Sequence, residues 1–218
     1  MQTILLAAVL AAAGPTELRI ENAAARVVVI PRRGGVLTAA IRQAKDGPPL
    51  QLRREGAALV VDGGQAGAGR GGIFDLFNQS RCRTDPATLP LVTVRAPADA
   101  RIVSSGAIFG QVGPADSLTL TAKGCGRWAA GSVAGPLSIH VDGHTRVTVA
   151  GNAPRAELVA TGASRIEHTG EVGSLTAEVH GSSTVQVRLV NGQVDSLIDG
   201  TGDVTYGRPA KGSFCTQC

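Results

Sequence analysis

The chain has 218 residues and is 43% hydrophobic, with 29 glycines but only 3% aromatics. The apolar content excludes disorder, and the scarcity of aromatics argues against a thick core while leaving room for a narrow one filled by Val, Leu, Ile and Ala. Charged residues make up 17% and the formal net charge is +4, which allows contact with anionic surfaces but lacks the dense basic stripe of a nucleic-acid binder, so no nucleic-acid partner is expected.

In chain order, Met1-Gln2-Thr3 precedes an apolar run over residues 4–13 that closes on Ala11-Ala12-Ala13 before Gly14. Residues 1–13 read as a signal peptide with a small-residue cleavage site, although no Lys or Arg precedes the run. A buried first strand or helix is the alternative. The run is too short to span a bilayer, which takes about 20 apolar residues. No later stretch qualifies, so an exported chain without a transmembrane segment is expected.

Residues 14–99 read as irregular strands. Apolar residues suggest strands over 17–30, 36–42, 49–52 and 57–61. A glycine-rich loop runs from Asp62 to Gly72, and a short apolar stretch over 73–77 follows. A further strand covers 89–94, with Pro90 limiting where it can sit in a sheet.

From residue 100 the chain repeats. Gly124, Gly143, Gly162, Gly181 and Gly200 are 19 residues apart, and Gly106 precedes them by 18. Four residues before the glycines stand Ile102, Leu120, Ile139, Leu158, Ala177 and Ser196. Four after the last five stand Trp128, Val147, Ile166, Val185 and Val204. These columns are mostly apolar and the positions between them mostly polar, the period-two pattern of strands with one buried face. Two residues after each of those glycines the residue is small: Gly126, Thr145, Ser164, Ser183, Gly202. Each repeat therefore reads strand, glycine corner, strand, connection. A unit this short cannot bury its own apolar face, whereas stacked units can. The expected fold is all-β: a right-handed parallel β-helix, or β-solenoid, with coils of about 19 residues in the C-terminal half. One solenoid domain is placed at 14–207, with regular repeats over 100–207 and a cysteine-containing tail at 208–218. In that tail Pro209 and Lys211 would blunt the last coil.

The corners Gly124-Cys125-Gly126-Arg127-Trp128, Gly181-Ser182-Ser183-Thr184-Val185 and Gly200-Thr201-Gly202-Asp203-Val204, with Ser105-Gly106-Ala107-Ile108-Phe109-Gly110-Gln111-Val112-Gly113 before them, resemble the head GIN domain family of auto-transporter adhesins. The similarity spans roughly residues 18–206. It implies a right-handed β-helix exported from a bacterial cytoplasm to the periplasm, the cell envelope or the exterior. It also implies an adhesive role, and it carries over no catalytic motif. Only Asp203 keeps the corner aspartate of the family pattern.

That departure gives the sharpest candidate site. Three residues after successive glycines come Arg127, Arg146, Arg165, Thr184 and Asp203. In a parallel stack the three arginines would line one outer face at a pitch of ~5 Å. Such a ladder suits an anionic polysaccharide or another acidic envelope component. The plainer alternative is a solvated face whose arginines pair with Glu167 or Asp142.

The remaining chemistry is sparse. His140, His144, His168 and His180 fall at four different repeat positions, so no metal site and no cofactor are expected. The carboxylates Asp142, Glu167, Glu178, Asp195, Asp199 and Asp203 scatter likewise. Only Asp142 and Asp199 share a column, three coils apart. The glycines at 67–72 have dinucleotide-fingerprint spacing but no following helix. Cys215-Thr216-Gln217-Cys218 has redox-motif spacing but no room for the activating helix. In an exported protein Cys82, Cys125, Cys215 and Cys218 allow three disulfide pairings. Cys82 with Cys125 is preferred, because it would tie the irregular half to the repeats. The reading is an exported, non-enzymatic, adhesin-like or scaffold solenoid that displays ligand-binding faces. The alternatives are a module that self-associates through exposed coil ends and a carbohydrate-active β-helix enzyme.

Overall fold

The computed structural model describes residues 16–45, 49–64 and 85–208. The expected signal peptide, most of the glycine-rich loop, Cys82 and the tail from residue 209 lie outside them.

The strands in chain order are β1 (Glu17–Arg32), β2 (Thr38–Arg42), β3 (Gln51–Glu55), β4 (Ala58–Asp62), β5 (Leu91–Pro97), β6 (Asp99–Val112) and β7 (Ser117–Ala130). They continue with β8 (Leu137–Val149), β9 (Ala153–Gly162), β10 (Arg165–Gly181), β11 (Thr184–Val190), β12 (Val194–Gly200) and β13 (Asp203–Tyr206). All belong to one sheet, which from β6 onward winds as a β-solenoid of about six turns with coils of about 19 residues.

β6, β7 and β8 are each one whole coil, bent at its glycine and paired in parallel with the next. β9 with the start of β10, the rest of β10 with β11, and β12 with β13 make the following three. The expected columns stack in register. Ile102, Leu120, Ile139, Leu158 and Ala177 face inward with at most 1% exposure, as do Trp128, Val147, Ile166 and Val185. Each large aliphatic side chain so buried contributes roughly 1.5–3 kcal/mol. Aromatic bulk is unnecessary because the space between the strands is only one or two side chains deep.

The corner explains the glycine. Gly143 has φ of 93°, and a Cβ placed there would lie 2.3 Å from the carbonyl oxygen of Gly124 in the coil below. Left-handed backbone and carbonyl contact together leave no room for a side chain. Just inside the corner, the small residues Thr145, Ser164 and Ser183 are buried. The Ser164 hydroxyl donates to Thr161 O at 2.8 Å, and Ser164 N–H donates to Ser183 Oγ at 3.1 Å. These hydroxyls satisfy backbone groups that the bend leaves over.

The N-terminal part differs from the irregular strands expected. β1 is a full coil in parallel register with β6, Leu18 opposite Ile102 and Val29 opposite Val112. Its corner hides the glycine signal. Ala23 sits opposite Gly106, and Asn22, in a bulge, supplies the left-handed residue at φ 52°. Asparagine tolerates that region better than most residues. The Asn22 N–H donates to Ser105 Oγ at 2.9 Å. The other edge of β1 pairs in parallel with β4 and β5, which make one coil more. β1 therefore lies between the β4–β5 coil and β6, although β5 and β6 are separated in sequence by Ala98 alone. A bidentate pair from Arg33 to Asp116, at 2.9 and 3.0 Å, fastens the end of β1 to the β6–β7 connection.

The outermost coil at this end is closed by two antiparallel strands, β3 on β4 and β2 on β5. Arg42, Arg53 and Arg54 lie on them. At the other end β12 and β13 form the last coil among the described residues, and Leu197 and Ile198 are 56% and 45% exposed.

Candidate binding face

The second limb of each coil, just after the corner, alternates strictly. Trp128, Val147 and Ile166 point into the core, which turns the residue before each of them outward. Arg127 is thereby paired with Arg146, and Arg146 with Arg165, all three exposed. Thr184 and then Asp203 continue the column toward the C-terminal end. Successive guanidinium stems start ~4.8 Å apart, the separation of paired strands.

None of the three arginines makes an ion pair with a described residue. The partners considered from the sequence lie elsewhere. Glu167 is one outward column away, level with Thr148 and Gln186. Asp142 is across the glycine corner, level with Lys123 and Thr161. Like charges at this spacing repel by about 1 kcal/mol in water, so the column carries a concentrated and uncompensated positive potential.

The column also runs further than the repeat reveals. Below Arg127 stands Phe109, and below Phe109 stands Arg26 of β1. The order is Arg26, Phe109, Arg127, Arg146, Arg165. Phe109 stands three residues after Gly106, the same offset as the arginines from their glycines, so the repeat places it in this column. Arg26 could not be added from periodicity, because it enters the stack through a strand that is not adjacent in sequence.

The histidines disperse as expected. His140 and His144 are exposed on separate columns. His180 lies between carboxylates, 3.8 Å from Glu178 and 3.6 Å from Asp199. His168 is a core residue, 1% exposed, in a column with Val149 and Val187. Burial pushes its imidazole pKa down, against the opposing influence of the backbone at residues 170 and 168, and neither ring nitrogen makes a hydrogen bond of good geometry. No cluster of three potential metal ligands occurs among the described residues. Asp142 and Asp199 do share a column three rungs apart, about 14 Å, which exceeds the separation glycoside chemistry uses.

The described residues contain no free cysteine. Cys125 packs at the edge of a small cluster on the outside of the second limb, formed by Ala24, Leu89 and Ala107 with Phe109. Cys82, Cys215 and Cys218 lie outside the described residues. No helix among them is long and apolar enough to cross a membrane.

The family described as "Putative auto-transporter adhesin, head GIN domain" matches residues 70–209. Among solved structures, a putative adhesin from Bacteroides fragilis is 15% identical, with 88% of this chain and 92% of that one covered and a TM-score of 0.55. A putative lipid binding protein from Parabacteroides distasonis is 10% identical, covering 89% and 93%, with a TM-score of 0.46. The first likeness shows a shared fold, and the second is too distant to carry an argument. No curated protein matches the chain.

Proposed function

We propose, from the premise that this chain belongs to the putative auto-transporter adhesin, head GIN domain family, that it is an exported, non-enzymatic adhesin-like solenoid whose arginine ladder binds an anionic polysaccharide of the cell envelope or its surroundings. The observation that carries this reading is the column Arg127, Arg146, Arg165, in register, exposed and without carboxylate partners among the described residues. A rigid row of planar donors at rung spacing can take one carboxylate or sulfate per step, each bond charge-assisted. Many weak contacts on a stiff scaffold add up without further ordering cost. The test is retention on heparin and polygalacturonate columns. The wild type should be retained and release at raised salt. The variant with all three arginines replaced by serine should elute near the void. Equal retention of both would end this reading.

Export is supported by the apolar run at residues 4–13 and by the family's description. It would place the cysteines where disulfides persist. We further propose a Cys82–Cys125 bond. Leu89, a few residues beyond Cys82 in sequence, packs against Ala24 and Ala107 beside Cys125. Such a link restricts the unfolded chain and typically adds about 2–4 kcal/mol. Peptide mapping without reductant should recover that pair. Recovery of Cys125 joined to Cys215 or Cys218 would replace it.

A second reading rests on Leu197 and Ile198, which are unusually exposed on a coil that pairs on one side only among the described residues. Such an edge is a template for strand addition, so self-association through this end is the alternative role. Light scattering across a concentration series distinguishes the two readings. A monomer at all concentrations leaves the first alone, and a growing mass abolished by Leu197→Lys with Ile198→Lys supports the second.

A further inference from the structure

The ladder does not simply fade at its N-terminal end. Arg26, Phe109 and Arg127 occupy three consecutive rungs of one column, so the two guanidinium stems start ~10 Å apart with an aromatic ring between them. Around them lies a cleft of about 280 Å³, lined by Arg26, Pro86, Leu91, Phe109, Gln111 and Arg127. Phe109 is half-buried, held from one side by Ala24, Leu89 and Ala107. Arg26 is also half-buried, and its Nε is buried without a hydrogen-bond partner. It forms no ion pair with any described residue. A partly desolvated guanidinium with an unsatisfied donor gains more from a carboxylate than an exposed one does.

These features differ from those of Arg146 and Arg165, which stand on an open face. An open column recognises charge alone. A cleft with two cations, an aromatic ring and an amide recognises charge, an apolar ring face and hydroxyl groups together. We infer that this cleft seats one carboxylated sugar residue of an acidic glycan, the ring resting on Phe109, its carboxylate on Arg26 and a hydroxyl on the Gln111 side chain. The carboxylate of the next residue then meets Arg127, and the glycan continues along Arg146 and Arg165. The inference rests on the ladder reading above and adds a place where the polymer is held by more than charge. It also gives the ladder a chemical preference. A polyphosphate can follow the arginines but has no apolar face to lay on Phe109.

Calorimetric titration with trigalacturonate and with tripolyphosphate tests it, on the wild type, Phe109→Leu, Phe109→Trp, Arg26→Gln and the triple serine variant of the ladder. Leucine keeps an apolar side chain against Ala24 and Leu89, and thermal melts of each variant report whether the coil is intact. Arg26→Gln should weaken trigalacturonate about tenfold or more, the scale of one lost charge-assisted contact, and Phe109→Leu about fivefold or more through loss of the aromatic face under the sugar ring. Phe109→Trp should restore wild-type affinity. Phe109→Leu should leave tripolyphosphate within about twofold. If the triple serine variant loses trigalacturonate while Phe109→Leu and Arg26→Gln retain it, the cleft assignment falls and the ladder stands. If the wild type binds neither anion, both fall. If tripolyphosphate binds as well as trigalacturonate and Phe109→Leu changes neither, the preference for a sugar is overturned.

Discussion

At one end of the solenoid the β4–β5 coil is covered by β3 and β2, which run antiparallel to it and place arginines along the edge. At the other end β12 and β13 pair on one side only among the described residues, and Ile198, at an inward position, is 45% exposed where its counterpart Val179 is fully buried. The same coil geometry therefore has two different environments. In a stack where each coil touches only its neighbours, a coil's stability is its own plus its interfaces. Among the described residues the covered end has its full share of interfaces and the open end lacks one. Stability should fall off toward the C-terminal coil, and the substitutions below test that gradient from the largest expected effect to the smallest.

Gly143→Val puts a β-branched side chain at φ 93° and against the Gly124 carbonyl in the middle of the stack. It should cost about 4 kcal/mol or more, enough to prevent cooperative folding. Gly200→Val meets the Gly181 carbonyl in the same way, at 2.5 Å. There the last coil can lift away, so the cost should be about half or less. Equal losses in urea melts would mean that the end is as constrained as the middle. Ile20 of β1 is 1% exposed and has paired strands on both sides. Ile20→Ala should cost about 3–4 kcal/mol, against about 1 for Ile198→Ala.

Acid should weaken the stack through His168. Its folded pKa is depressed by burial, so below the ordinary imidazole value the unfolded chain binds the proton that the folded chain excludes. Stability is then flat at neutral pH and falls as the pH drops through about 6.5 and below. The other titratable groups near it are Glu167 and Glu171 on the same strand, both only partly buried, and Tyr206, which packs against the core one rung beyond Val187; Val149 and Val187 are the neighbours on either side. His168→Val, matching its column, should remove the slope between pH 7 and 5 in thermal melts. A slope that survives the change assigns it to other groups. Least affected should be Arg42→Ser at the covered edge. Its melting temperature should not move, while scattering reports whether edge charge matters for association.

The repeat itself was legible because one physical requirement recurs. Each corner needs left-handed backbone against a carbonyl, so glycine returns every coil, and alternation then predicts that Ile139 and Val147 point inward and Arg146 outward. The ladder followed from the same register. Strand structure over 17–30 was legible, but that β1 forms a coil of the same stack was not, because Asn22 meets the corner requirement in place of glycine and because its neighbours, Ala58, Leu91 and Ile102 among them, lie far along the chain. Arg26 was missed with it, and Phe109, although three residues after Gly106, was not singled out. Leu197 falls at an outward position of the register, in a column with His140 and Glu178, whereas the exposure of Ile198 could not be read from its buried column and depends on no described coil following it.

The placement of β1 has a consequence for the order of assembly. From β6 onward each coil finds its partner within about 19 residues, so those coils can form progressively as they are synthesised or emerge from a channel. β1 comes first in the chain but has no local partner. Its two edges wait for β4 with β5 and for β6, and it must be held extended until both sides are available. Closing β1 between them is a single non-local step that joins the covered end to the sequential coils. Until it occurs, both edges of β1 are unpaired. An exported chain in that state is the form most exposed to proteolysis and to pairing with the wrong strand.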